Sequence, residues 1–303
     1  MSSIPQNLNQ QLQTAVRVHQ QGNSRPLWEF IQHIVSLPST NAESLVQLGD
    51  ALLQGGMPEF ALACYRHGLL RDPAHFRAWV HGGLLLSSLG QNAEAVAYCD
   101  RAIRLQSKVA MIYSNQSAAL KSLGRLAEAR ASSQKAIILD CQFQDAYYNL
   151  ALAYEEGDAS ILAGPMYRRT YQLSPLHARA RNNHGKLMQD ADDAEAALKA
   201  FRFALAIEPR LSEGLSNIGG AFSESRRFDH AVRFYTRAIA VQPGLVSAHM
   251  GRAMTHLLVG DYAAGLEDYE WRLRDLRQHH GFRPEPPPHY RGEPLKGKTL
   301  HVY

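Results

Sequence analysis

Ser212–Leu245 reads SEGLSNIGGAFSESRRFDHAVRFYTRAIAVQPGL, and the fold follows from how this run recurs. Leu215, Ile218, Gly219 and Phe222 stand at its positions 4, 7, 8 and 11, and Ala231, Tyr235, Ala238 and Pro243 at positions 20, 24, 27 and 32. Both sets keep helical spacing, and the polar Ser225-Arg226-Arg227 separates them. The run is therefore two amphipathic helices joined by a short turn and closed by a proline.

Working outward, the same 34-residue register starts at Leu8, Ala42, Phe76, Ala110, Gln144, Ala178, Ser212 and Val246 without an insertion. Position 8 is Ala15, Gly49, Gly83, Ser117, Ala151, Gly185, Gly219 and Ala253, all small. Position 20 is small from Ala61 to Gly265, with Leu27 the exception, and position 27 holds Gly68, Ala102, Ala136, Thr170, Ala204 and Ala238. Helices approach closely only where no bulky side chain separates their backbones, so these positions predict the crossings within and between pairs. Tyr65, Tyr167, Phe201, Tyr235 and Tyr269 at position 24, and Trp79, Tyr113 and Tyr147 at position 4, are the expected core knobs. Gly22, Gly56, Gly90, Gly124 and Gly260 mark the turns, and Pro73, Pro175, Pro209 and Pro243 the ends of second helices.

Period and pattern resemble the tetratricopeptide repeat. The resemblance implies an all-α, right-handed superhelix (an α-solenoid) of about eight helix-turn-helix repeats over residues 8–279, after a disordered tail at 1–7. The first copy is degenerate, with Gln11 and Thr14 at usually apolar positions, as suits a polar end cap. In the copy from Gln144, Gly164-Pro165 falls inside the second helix and predicts a late start or a kink. The copy from Ala110 has Ser133 in place of the aromatic and Cys141 in place of the proline, which predicts looser packing.

A net charge of +4 is dispersed, with both signs in most repeats and no basic–aromatic face, so nucleic acid is not an expected partner. Cys64, Cys99 and Cys141 are few and far apart, and are expected as buried free thiols in a reducing compartment. The opening residues lack a basic region followed by an apolar run, and no stretch reaches a membrane span; the expectation is a cytoplasmic protein with no membrane partner.

The last copy departs furthest. Gly260-Asp261-Tyr262 and Tyr269-Glu270-Trp271-Arg272 are followed by Pro284, Pro286, Pro287 and Pro288, then Arg291-Gly292-Glu293-Pro294-Leu295-Lys296-Gly297-Lys298-Thr299-Leu300. These runs look like the junction between repeats and catalytic half in bacterial repeat-bearing glycosyltransferases of the O-linked N-acetylglucosamine transferase type. The resemblance implies that 280–303 is a Pro-rich linker and the first strand of a missing α/β domain. No sugar-nucleotide or catalytic residue of that family falls in this stretch, so none is carried over, and no cofactor is expected.

Position 6 reads Gln13, Gln47, His81, Asn115, Asn149, Asn183, Asn217 and Gly251. By analogy with the family these line a concave groove, where a carboxamide can both donate to and accept from a peptide unit. Layers about 8–10 Å apart would offer one asparagine to about every third residue of a strand rising about 3.3 Å per residue. The expected peptide-binding set is Asn115, Asn149, Asn183, Asn217, His81 and Gln47, with Tyr148, Asn182 and Lys186 adding selectivity. A solvated polar face would carry the same residues. The function expected is a scaffold for an extended protein or peptide ligand, as the acceptor-recognition region of a glycosyltransferase or, alternatively, as a free-standing adaptor. A clamp for acidic C-termini is excluded, since position 5 has no Lys and position 9 no Asn. No Cys-x-x-Cys or His-Glu-x-x-His spacing accompanies His249, His256, His279, His280 or His289, so no metal site is expected.

Overall fold

A computed structural model describes residues 6–157 and 159–273 of the chain, and every regular element among them is helical. The first four pairs are α1 (Gln6–Gln20) with α2 (Arg25–Ser36), α3 (Ala42–Gln54) with α4 (Pro58–Arg71), α5 (Phe76–Ser88) with α6 (Asn92–Leu105), and α7 (Ala110–Ser122) with α8 (Leu126–Leu139). The next four are α9 (Gln144–Glu155) with α10 (Ala163–Leu173), α11 (Ala178–Asp190) with α12 (Ala194–Ile207), α13 (Ser212–Glu224) with α14 (Phe228–Val241), and α15 (Val246–Leu258) with α16 (Tyr262–Tyr269). This is the all-α repeat architecture that the 34-residue register predicts. Helix α1 takes in Gln6 and Asn7, which the sequence reading leaves to the tail. The linker and strand expected at 280–303 lie outside the described residues.

The chain divides into two compact units, one up to Ala180 and one from Arg181 onward, so that the division falls within α11. In the first unit the small residues do what their spacing requires. Ala61, Ala95, Ala129 and Ala163 are fully buried, as is Tyr65 at position 24. A side-chain carbon built on Gly49 would lie 2.7 Å from the Tyr65 ring, so the crossing of α3 and α4 closes only because that carbon is missing. The second unit repeats the device: Phe201 and Tyr235 are buried against Gly185 and Gly219, beside fully buried Ala197, Ala204, Ala231 and Ala238.

Position 4 behaves differently from the expected core knob. Trp79, Tyr113 and Tyr147 are half-buried, and each sends its polar tip back to the main chain six residues earlier. Trp79 Nε1 donates to the Pro73 carbonyl at 2.8 Å, Tyr113 Oη to Ser107 at 3.1 Å and Tyr147 Oη to Cys141 at 3.2 Å. His249, in the same slot, donates from Nε2 to the Pro243 carbonyl at 3.0 Å. An amphipathic ring therefore ties these four first helices to the preceding inter-repeat turn, which would otherwise leave a carbonyl unpaired.

The copy from Gln144 starts its second helix late, as Pro165 demands. The 3-10 turn Ser160–Leu162 precedes α10, and Pro165 is the third residue of that helix, where a missing amide costs nothing. The copy from Ala110, where the sequence predicts looser packing, instead closes its crossing with buried hydroxyls. Ser133 is fully buried, its Oγ donates to Ser117 Oγ at 2.7 Å, and Ser117 donates to the Ala129 carbonyl at 2.7 Å. A hydrogen-bonded pair of hydroxyls thus replaces an aromatic ring at the crossing. Cys64 and Cys99 are buried, and burial pushes both thiols up to about 12. Cys141 is exposed, contrary to expectation, because position 32 lies past the end of α8 in the connecting turn.

The five turn glycines all adopt positive φ, between 73° and 96°. Two copies put another residue in that slot: Asp192 at φ 61° and Arg226 at φ 56°. Aspartate tolerates this region through its short polar side chain, whereas arginine gains nothing there. Arg226→Gly is therefore expected to stabilise the second unit by about 1 kcal/mol, read as a higher chemical-denaturation midpoint at unchanged slope. An unchanged or lower midpoint would show that the arginine is not strained.

Candidate functional site

The sequence-predicted ladder sits on first helices, and its rungs are not all built alike. In the first unit, α3 and α5 form a closed charge network. Asp50 accepts from Tyr65 Oη at 2.7 Å and Arg77 Nη2 at 2.6 Å, and it hydrogen-bonds His81 Nδ1 at 2.8 Å. Glu43 accepts from Gln47 Nε2 at 2.8 Å and Arg77 Nη1 at 3.1 Å, with His75 Nε2 at 3.0 Å. Burial alone would raise the Asp50 carboxyl, but hydrogen bonds from Tyr65, His81 and Arg77 outweigh it and hold it below the usual range. Burial, followed by the Asp50 carboxylate, pushes the Tyr65 hydroxyl up. Gln47 is therefore engaged by Glu43 of its own helix, and His81 by Asp50 of the first helix before it.

The asparagines begin where that network stops. Asn115 on α7 is half-buried and has no hydrogen-bond partner among the described residues. Asn149 on α9 donates from Nδ2 to both the Ser114 carbonyl, 3.0 Å, and Ser114 Oγ, 2.9 Å. A main-chain carbonyl can only accept, so this fixes the orientation of the amide. Its nitrogen is used within the protein, and its oxygen remains. Tyr148, beside it, packs its ring at 4.6 Å from His177 and 5.9 Å from Tyr167. Burial lowers the pKa of His177, the largest of several influences on it.

In the second unit the same offset recurs. Asn217 Nδ2 on α13 donates to Asn182 Oδ1 at 3.0 Å, and Asn182 Nδ2 donates to Asn183 Oδ1 at 3.2 Å. Position 6 of one repeat thus donates to position 5 of the repeat before it, in both units. Asn182 is buried, with 4% of its surface exposed, and its carboxamide is engaged by Asn217 and Asn183. Lys186 is exposed on α11. Gly251, where the ladder breaks off, is explained by packing: a side-chain carbon there would run into the Tyr235 ring.

Position 5 is the partner that sequence reading overlooked. It is polar at Ser114 and Asn182 but apolar at Val46 and Val80, and this contrast was the available signal. Among the described residues no group of three His, Cys, Asp or Glu side chains is set to hold a metal ion. No helix among them is long and apolar enough to cross a membrane.

Models of the tetratricopeptide repeat match residues 46–110 in the first unit and 215–247 in the second. Among curated relatives, the peroxisomal targeting signal receptor of Eremothecium gossypii is 23% identical over 230 residues, 73% of this chain and 39% of the relative. The Saccharomyces cerevisiae receptor is 21% identical over 237 residues, again 39% of its length. The chain thus spans about two fifths of the length of these relatives. Of solved structures, a tetratricopeptide repeat protein from Parabacteroides merdae aligns with a TM-score of 0.62 at 15% identity, covering 79% of this chain and 94% of that one. Pseudomonas aeruginosa pilF aligns with a TM-score of 0.60 at 17% identity, covering 70% and 97%. With the small-residue crossings and the recurring turns, these matches show that the chain carries tetratricopeptide repeats in each of its two units.

Proposed function

We propose that, within each unit, the first-helix face holds an extended polypeptide by its main chain. The observation that carries this is the fixed carboxamide of Asn149: its nitrogen is tied to Ser114, which leaves a preoriented oxygen to accept from a peptide N–H. Asn217 spends its nitrogen on the Asn182 side chain, and Asn115 keeps both a donor and an acceptor. Side-chain-independent recognition follows, because every peptide unit offers the same groups. The names of the two curated relatives describe receptors for a targeting signal, which supports a polypeptide ligand.

The narrower reading, that this face presents acceptor polypeptides to a glycosyltransferase, rests on the likeness of Tyr269-Glu270-Trp271-Arg272 and residues 284–300 to that family's junction. The receptor relatives favour the alternative of a free-standing adaptor.

The test starts from Asn115→Ala, which breaks no hydrogen bond in the protein. With peptides selected from an array, it is expected to weaken binding about fivefold, the worth of one net hydrogen bond, at an unchanged unfolding midpoint. Replacing Asn115, Asn149, Asn183 and Asn217 together by alanine removes two rungs from each unit and is expected to weaken binding by about twentyfold or more, helicity being checked by circular dichroism. Equal affinity of wild type and both variants would end the ladder reading.

A further inference from the structure

Away from the ladder, the second helices α12 and α14 leave a cleft of about 310 Å³ over the side chains of α13. Ile218, Phe222, Phe234 and Leu205 form its apolar surface, and the guanidinium groups of Arg202 and Arg237 stand at its edge. Phe222 and Phe234 stack with centroids 5.5 Å apart and planes 29° from parallel. Arg237 lies 5.2 Å from the Phe234 centroid and Arg227 lies 4.8 Å from that of Phe222.

The repeat register supplies an internal comparison. In the first unit, Arg66 on α4 occupies position 25, and its Nη2 donates to both oxygens of Glu94 at position 19 of the next copy, at 2.9 and 2.8 Å. The hydroxyl of Tyr98, at position 23, is a further hydrogen-bond partner of Arg66. Arg202 occupies position 25 in the second unit, the same 28 residues before position 19 of the next copy. There, however, Glu94 is replaced by His230 and Tyr98 by Phe234. The carboxylate and the hydroxyl that satisfy Arg66 are both missing, and neither Arg202 nor Arg237 pairs with a carboxylate among the described residues. His230 is turned to Arg227, 3.4 Å away.

A charged group without its partner next to an open apolar surface is a recognition site for a ligand carrying both the missing charge and an apolar group. We propose that this cleft docks a segment of a partner protein in which a glutamate or aspartate directly neighbours a large apolar side chain. The carboxylate takes on Arg202 the place that Glu94 takes on Arg66, and Arg237 flanks it. The apolar neighbour lies against Phe222 and Phe234, filling the cleft. Position 19 is thus the point at which one repeat pair is closed from within and another is left for a second protein.

Three acetylated, amidated pentapeptides, GEFEG, GQFQG and GEAEG, test this with the full chain. GEFEG is expected to bind about tenfold tighter than either of the others, since each control lacks one half of the match. His230→Glu supplies the carboxylate from within and rebuilds the pairing seen at Arg66. It is expected to weaken GEFEG about tenfold while holding or raising the unfolding midpoint, so lost binding cannot be lost folding. Asn115→Ala separates this site from the ladder and is expected to leave GEFEG binding unchanged. No GEFEG binding at millimolar concentration, equal binding of GQFQG, or binding that survives His230→Glu would each overturn the proposal, and weakening by Asn115→Ala would assign the peptide to the ladder instead.

Discussion

Tyr235→Ala is expected to cost the second unit about 3–5 kcal/mol, the range for deleting a buried aromatic ring. Tyr235 is 6% exposed, and burial pushes its hydroxyl up to about 12. The ring lies between two glycines. A carbon on Gly219 would sit 2.9 Å from it, and one on Gly251, in the next first helix, would overlap it. Removing the ring therefore opens space at two helix contacts at once. Because a repeat array is stabilised by nearest-neighbour interfaces, the loss is expected to be local, with hydrogen exchange accelerating in α13, α14 and α15 before α3 to α6.

A double-mutant cycle separates ring packing from a general loss of core. Gly219→Ala raises helix propensity by about 1 kcal/mol, yet its methyl group must push the Tyr235 ring aside at a cost of about 1–3 kcal/mol. In the wild type the substitution is expected to destabilise. In the Tyr235→Ala background the clash is gone, and the same change is expected to stabilise by about 1 kcal/mol. If Gly219→Ala stabilises both backgrounds equally, the glycines are not there to admit the ring.

This packing also explains which parts of the molecule were legible in its sequence. Gly219 and Tyr235 belong to one repeat and recur in others as Gly49 with Tyr65 and Gly185 with Phe201, so a strict period exposes them. The late start of α10 was legible because Pro165 acts through its own backbone. Two contacts that join neighbouring copies were hidden. Gly251 breaks the position-6 series because of a tyrosine in the preceding repeat, and Asn149 spends its donor on Ser114, 35 residues earlier. Each repeat reads as polar or apolar by itself, but whether a polar side chain faces a ligand or a neighbour depends on two repeats together. The exposure of Cys141 and the strained Arg226 have a similar origin: each occupies a slot defined by proline or glycine, and only the backbone reveals what the slot demands.

Position 23 of the last described pair shows the same effect with a charge, and carries the second large expectation. Asp268 is 8% exposed in a slot that elsewhere holds Cys64, Tyr98 or Phe234. Its carboxylate accepts from Arg252 Nε at 2.6 Å and Nη2 at 2.9 Å, and it hydrogen-bonds His249 Nδ1 at 3.0 Å. Trp271 stacks on the His249 ring, with centroids 3.7 Å apart and planes 7° from parallel. Asp268→Asn leaves Arg252 partly buried opposite a neutral amide and is expected to cost about 3 kcal/mol, whereas the same change at an exposed ion pair costs little. Burial alone would raise the Asp268 carboxyl; the bonds from Arg252 and His249 outweigh it and hold it below the usual aspartate range. The unfolded chain therefore takes up the proton first as pH falls. Stability from Asp268 is fully present above about pH 4, near the ordinary aspartate value, and is lost as pH falls through the depressed folded value. The stability gap between wild type and Asp268→Asn, measured by urea denaturation, is expected to be constant from about pH 7 to 5 and to shrink steadily below about pH 4. A gap that stays constant down to about pH 2 would mean that the carboxylate's charge does not hold this end of the second unit together.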